Sequence, residues 1–142
     1  MTAEGNAALV RRFVEQLHHG WTADLMREFY ATDYRRHLNP SAAPLTPEAQ
    51  CERGMRFRTA FPDAHATLDD VVADAERVAF RMTIRGTHQG EFQGIAPTGT
   101  RVAVSFIAVV HIRDDKFVEE WGGLDVFDLL QQLSRPNEAT KQ

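Results

Sequence analysis

The stretch RVAVSFIAVVHIRDDKFVEEWGGLDV, residues 101–126, decides the fold. Arg101 to Arg113 reads as one long strand, apolar on both faces. Asp114-Asp115 suits a tight hairpin turn, and Lys116 to about Val126 returns as the partner strand. Just upstream, Val78, Phe80, Met82, Ile84 and Gly86 alternate with Ala79, Arg81, Thr83 and Arg85, the period of a half-buried strand. Long strands that bend need glycine or a bulge, and Gly86 and Gly122-Gly123 are placed for that.

The first half of the chain has a different period. Leu9, Val10, Phe13, Val14 and Leu17 recur at helical spacing, so about residues 5–19 form an amphipathic helix that Gly20 ends. Thr22 is a cap for a second, short helix carrying Leu25, Met26, Phe29 and Tyr30. Tyr34 to Pro44 reads as a loop. Thr46-Pro47-Glu48 is a helix start, with a cap, a proline at the first position and an acid near the positive dipole end. This third helix carries Met55, Phe57 and Phe61 and stops at Pro62. A last short helix runs from Asp125 or Val126 to Leu133. Helices first and long antiparallel strands second give an α+β domain, in which a curved antiparallel sheet wraps N-terminal helices into a cone around one pocket.

The 142 residues suit a single domain, 1–142, with residues 134–142 expected as a flexible tail. An apolar fraction of 43%, a charged fraction of 25% and a net charge of −4 describe a soluble globular chain without the basic stripe that nucleic acid or an anionic membrane requires. No stretch approaches the roughly 20 apolar residues of a membrane span. The lone cysteine, Cys51, cannot form an internal bridge, and no Cys/His spacing fits zinc, so no metal is expected. Without the apolar core of a signal peptide near the start, the cytoplasm is the expected compartment.

Several motifs then converge. Arg77-Val78-Ala79, Gly86-Thr87-His88-Gln89-Gly90-Glu91-Phe92 and Gly94-Ile95-Ala96-Pro97-Thr98-Gly99 form one group. Ala60-Phe61-Pro62-Asp63, Asp33-Tyr34 with His37, and Asp115-Lys116-Phe117-Val118-Glu119-Glu120-Trp121 followed by Asp125 and Leu129-Leu130-Gln131-Gln132-Leu133 form another. From about Leu9 to Leu133 the chain resembles the SnoaL-like polyketide cyclase family. The resemblance implies the cone fold of ketosteroid isomerases and nuclear transport factors (an α+β barrel), a homodimer or homotetramer, and no cofactor. It also implies aromatic polyketide ring closure by an intramolecular aldol step in antibiotic biosynthesis. Some relatives instead assist hydroxylation.

Asp125 stands where the family's cyclases place an acid/base aspartate. An apolar setting of Phe106, Trp121, Leu124 and Phe127 would lift its pKa toward neutrality. Its alternative reading is the N-cap of the last helix. His111, fourteen residues earlier, matches the family's histidine–aspartate pair and could polarise a carbonyl. A simple hairpin, however, pairs it with Val118, far from Asp125 and on the opposite face. His37, Tyr34 and Asn39, in the segment read as a loop, could hydrogen-bond a phenolic or quinone substrate. Phe80, Met82 and His88 share parity and face the interior. There His88 is either a neutral substrate partner or a core histidine bonded to its neighbours. Phe92 and Trp121 could stack on planar rings or simply pack. Glu119 and Glu120 read as solvent or interface charges.

The expected function is cofactor-independent acid/base aldol cyclisation of a small aromatic or polyketide-like molecule. Two alternatives stay open. One is a hydroxylation-assisting tailoring protein, and the other is a non-catalytic binding or dimerisation module.

Overall fold

In a computed structural model, which describes residues 2–135, three helices and a strand precede a four-strand meander and a last helix. Helix α1 spans Ala3–Gln16 and is capped by Thr2, whose Oγ1 accepts from Gly5 N at 2.9 Å. One 3₁₀ turn, Leu17–His19, ends at Gly20. Helix α2, Ala23–Phe29, is capped by Thr22, and α3, Pro47–Ala60, by Thr46 with Pro47 in its first turn. The strands are β1 Tyr30–His37, β2 His65–Ala73, β3 Arg77–Thr87, β4 Arg101–Arg113 and β5 Lys116–Leu124. Helix α4 is Val126–Ser134. Beyond Arg135 the expected tail lies outside the described residues.

The sheet order is β1-β5-β4-β3-β2. Strands β2 to β5 pair antiparallel, as expected from the periods of β3, β4 and β5, while β2 is a strand the sequence reading does not include and β1 joins β5 in parallel. The sheet is therefore mixed, and it does not close into a complete barrel. Strands β1 and β2 carry no clean alternation. Strand β1 is rich in charge (Asp33, Arg35, Arg36), which masks its strand character as a loop. In β2 the register slips between Leu68 and Asp70, which breaks the period of two.

The β4–β5 hairpin turns at Asp114-Asp115, both with positive φ (54° and 59°), the backbone of a two-residue turn that matches strand twist. One bulge then alters its register. Ile112 faces Phe117 but His111 faces Glu119, leaving Val118 unpaired. Beyond the bulge, parity is reversed. Phe117, Glu120, Gly122 and Leu124 follow the inward row of Ile112, Val110, Ala108 and Phe106, while Glu119 and Trp121 face out. Gly122 and Gly123 adopt positive φ and supply the bend expected there. Gly86 pairs with Val102 in regular register and is not among the positive-φ glycines. A methyl group at that point would lie 3.3 Å from Ala64 Cα and from Phe61 Cβ, so the glycine permits close approach.

Two apolar clusters fill the concave side. In the larger, Leu9, Val10, Phe13 and Val14 of α1 pack on Val78, Phe80, Met82, Val110 and Phe117. Phe13 is its hub, edge-to-face with Trp21, Phe29, Tyr30 and Phe117 at centroid distances of 5.1–6.1 Å. Each such pair contributes about 0.5–1.5 kcal/mol beyond area burial. The smaller cluster joins Ala60 and Phe61 to Val102, Val104, Leu129 and Leu133. Helix α4 also shields β4 where β5 has ended. Asp125 N donates to Ser105 O, and the Gln132 amide bonds both Ala103 N and Ala103 O.

Candidate active site

A cavity of about 930 Å³ draws its walls from both clusters. Phe13, Trp21, Tyr30, Met82, Ile84 and Phe106 line one side, and Phe57, Phe92 and Leu124 line the other. Gly54 of α3 admits the Trp21 ring, since a methyl group there would lie 2.3 Å from the indole. Such volume and lining suit a multi-ring organic molecule.

One polar part of the wall comes from the adjacent strands β1 and β5. Arg36 and Glu120 are register partners across the parallel pair, and both side chains point inward and are buried. Tyr34, fully buried two residues earlier, donates its hydroxyl to Glu120 Oε1 at 2.5 Å. Glu120 Oε2 has no hydrogen-bond partner among the described residues. Arg36 does not contact the carboxylate. Its Nη2 donates to Gly122 O at 3.1 Å, and its guanidinium lies 5.2 Å over the Phe106 ring. A methyl group on Gly123 would stand 2.3 Å from Arg36 Nη2, so glycine makes room for the cation. Arg36 Nε and Gln50 Oε1 are buried without partners among the described residues.

Burial pushes the Glu120 carboxyl above the usual carboxylate range, opposed by the Arg36 charge and the Tyr34 hydrogen bond. The Tyr34 phenol is driven upward by burial and by the adjacent Glu120, so it stays a protonated donor. Tyr30, 4.6 Å away between ring centroids, is raised for the same reasons, burial first. The wall therefore holds a carboxyl displaced toward neutrality, a fixed hydroxyl that orients it and a cation nearby.

Of the residues expected from sequence to form the site, Met82, Phe92 and Phe106 line the cavity. Tyr34 stands behind the lining and orients Glu120. Phe80 is buried against Phe106 without lining the cavity, with ring centroids 5.9 Å apart. His88 is fully buried elsewhere. Its Nδ1 lies 3.2 Å from Thr98 N and 2.9 Å from Thr98 Oγ1, so the ring ties down the loop that carries Phe92.

The others lie outside the cavity lining. Asp125 is exposed and caps α4, accepting from Asp128 N at 3.1 Å. Asn39 caps its own turn, accepting from Ser41 N at 3.0 Å. His37, His111 and Trp121 gather on the outer face. The His37 and Trp121 rings stack at 4.9 Å, His111 lies 4.9 Å from the same indole, and His37 Nε2 is 2.6 Å from Glu119 Oε2. His111 also does not meet Asp125. It faces Glu119, whereas Asp125 bonds Ser105, six residues along β4 or about 20 Å away.

Sequence reasoning missed Glu120, Arg36 and Gln50. The bulge at Val118 hid the first, because strict alternation from Phe117 sends Glu119 and Trp121 inward. Reading β1 as a loop hid the second. Gln50 carries no sequence signal beyond its place on an inward helix face.

The family model for SnoaL-like polyketide cyclases matches residues 8–133. The chain belongs to that family. Among solved structures it is similar to AclR of Streptomyces galilaeus, proposed as a hydroxylase (26% identity, 93% of this chain and 97% of that one, TM-score 0.83). It is also similar to IdmH of Streptomyces antibioticus, proposed as a polyketide cyclase (28% identity, 92% and 99%, TM-score 0.80). TsrD of Streptomyces laurentii is a third likeness (25% identity, 94% and 98%, TM-score 0.81). No curated protein matches the sequence. These likenesses share the α+β cone fold, and no described helix is long and apolar enough to cross a membrane.

Proposed function

We propose that this SnoaL-like protein is a cofactor-independent enzyme that closes a ring on an aromatic or polyketide-like molecule held in the cavity. Glu120 replaces Asp125 as the acid/base group in this reading. One observation carries it: a buried carboxyl with a raised pKa sits in the wall of an apolar cavity, one oxygen held by Tyr34 and the other without a protein partner.

The chemistry follows from that arrangement. Glu120 removes a proton from carbon next to a carbonyl, and a raised pKa makes it a stronger base than an ordinary carboxylate. The Arg36 cation stabilises the resulting enolate in a setting of low dielectric. After the enolate attacks a second carbonyl, the protonated Glu120 returns its proton to the new alkoxide. Tyr34 fixes the carboxyl plane throughout. The cavity also holds the flexible chain in one folded form, which reduces the entropy cost of cyclisation.

The test uses 2-tetralone, a bicyclic ketone with acidic ring-adjacent protons. Exchange of those protons in deuterated buffer, followed by NMR, is expected to accelerate with the protein and return to the buffer rate in Glu120→Gln. Exchange unaffected by that substitution would overturn the assignment. The likeness to AclR favours a second reading, in which the cavity presents a substrate for hydroxylation. Strict dependence of product formation on dioxygen and a reductant would mark that case.

The proposal extends to a homodimer through the outer sheet face. One cross-strand row there, His37, Trp121, Val109, Ala79 and Val72, crosses all five strands, and Val109, Trp121 and Val72 are exposed beside Ile107. Sedimentation equilibrium is expected to give a dimer for the native chain and a monomer for Trp121→Glu. The cytoplasm remains the proposed compartment, in keeping with the single free cysteine.

A further inference from the structure

The chain as a whole is acidic, with net charge −4, yet its cavity is not. The charged residues lining it are Arg36, Arg53 and Arg56 against Glu91 and Glu120. Three cations therefore stand against two carboxyl groups in the lining. The cations are also poorly neutralised. Arg53 has no hydrogen bond or ion pair among the described residues. Arg36 contacts a carbonyl and an aromatic ring but no carboxylate, and its Nε lacks a partner. Among the described residues Arg56 alone of the three lies within ion-pair distance of a carboxylate, at 3.9 Å from Glu52, while Arg36 acts on Glu120 through space. Burial, and then the neighbouring Arg36 and Arg56 charges, pull the Arg53 guanidinium below its usual range. Arg53 is thus repelled by both of the other cations.

Uncompensated like charges beside an apolar cavity are costly unless a ligand answers them. A guanidinium offers parallel donors that match a carboxylate, and a cleft of one sign concentrates the opposite ion. Arg53 stands at the exposed rim of the cavity, whereas Arg36 lies deep beside Glu120. A molecule whose rings fill the apolar wall would place an anionic substituent at the rim.

We infer that the substrate is an aromatic or polyketide-like carboxylate, anchored by Arg53 at the rim while its ring carbons lie near Glu120. This rests on the cavity being the substrate site. Arg36 adds long-range attraction from below, and the anchor fixes which carbon meets the base.

The chain has two tryptophans, Trp21 in the cavity wall and Trp121 on the outer face, so binding can be read at one place. In a Trp121→Phe background, Trp21 fluorescence is titrated with anthraquinone-2-carboxylate and, separately, with its methyl ester. The acid is expected to bind roughly tenfold tighter than the ester, the scale of one charge-assisted hydrogen bond. Arg53→Gln should remove most of that preference by weakening the acid far more than the ester, and added salt should weaken the acid alone. Arg53 has no partners to lose, so the variant is expected to fold. Equal affinities for acid and ester would overturn the carboxylate inference while leaving the cavity reading intact. So would a preference that survives Arg53→Gln. Quenching of Trp21 by neither compound would overturn both.

Discussion

Glu119 and Glu120 are neighbours in the chain and opposites in the fold. Glu119 lies on the outer sheet face, 2.6 Å from His37, with its side chain 41% exposed. Glu120 lies inside, 5% exposed, bonded to Tyr34 and facing a cavity. Both meet a hydrogen-bond donor from β1, so the partner type does not separate them. What separates them is water. The outer carboxylate is solvated and its pair is screened, which limits its worth to about 0–1 kcal/mol. The inner one is desolvated, so its protonation is shifted and its chemistry is useful. A single bulged residue, Val118, decides which glutamate takes which place.

The largest effect expected from breaking this contrast is on turnover. Glu120→Gln should lower kcat by about 10²–10⁴-fold, the usual contribution of a general base, while Glu119→Gln leaves it within about twofold. The same variant sharpens the contrast in stability. A carboxyl whose folded pKa is raised contributes stability that is present below the unfolded value of about 4.3 and lost as pH rises through the folded value. Glu120→Gln has no charge to bury. Its thermal midpoint should therefore rise relative to the native chain as the buffer is taken from below that value toward neutrality. Thermal melts across that range would show the curves separating, and parallel curves would refute the raised pKa.

Next in size is Gly123→Ala. The new methyl must share space with Arg36 at a positive-φ position, so a loss of about 1–3 kcal/mol is expected in denaturant unfolding, together with reduced turnover from a displaced cation. Tyr34→Phe removes the bond that orients Glu120. About a tenfold fall in kcat is expected with little change in KM, because the bond serves the base more than ligand affinity. The smallest effect is that of Glu119→Gln on folding, at most about 1 kcal/mol and diminished by salt.

Much of this architecture is legible in the sequence. Strand β4, the Asp114-Asp115 turn, the Thr22 and Thr46 caps and the Gly122-Gly123 bend all follow from local chemistry that has one good solution each. The inward placing of Phe80 and Met82 follows from alternation. Alternation fails where the chain breaks its own period. Trp121 and Glu120 exchange faces at the Val118 bulge, and β2 slips near Asp69. A bulge leaves no composition signal in a stretch as uniformly strand-like as Phe117-Val118-Glu119-Glu120. Arg36 was illegible for a different reason. A charged, parallel edge strand has no apolar period of its own, and its inward residues become visible only through their partners on β5. His37 and Tyr34 show both sides of this. Placed together in one expected loop, they lie on opposite faces of β1.

Asp125 and Glu120 give the most direct comparison. Asparagine caps a helix as well as aspartate does, so Asp125→Asn should keep α4 intact. Turnover of one aromatic polyketide substrate by Asp125→Asn and by Glu120→Gln, measured side by side, tests where the chemistry resides. The cavity account predicts near-native turnover for Asp125→Asn and loss of turnover for Glu120→Gln. An active Glu120→Gln beside an inactive, folded Asp125→Asn would contradict it.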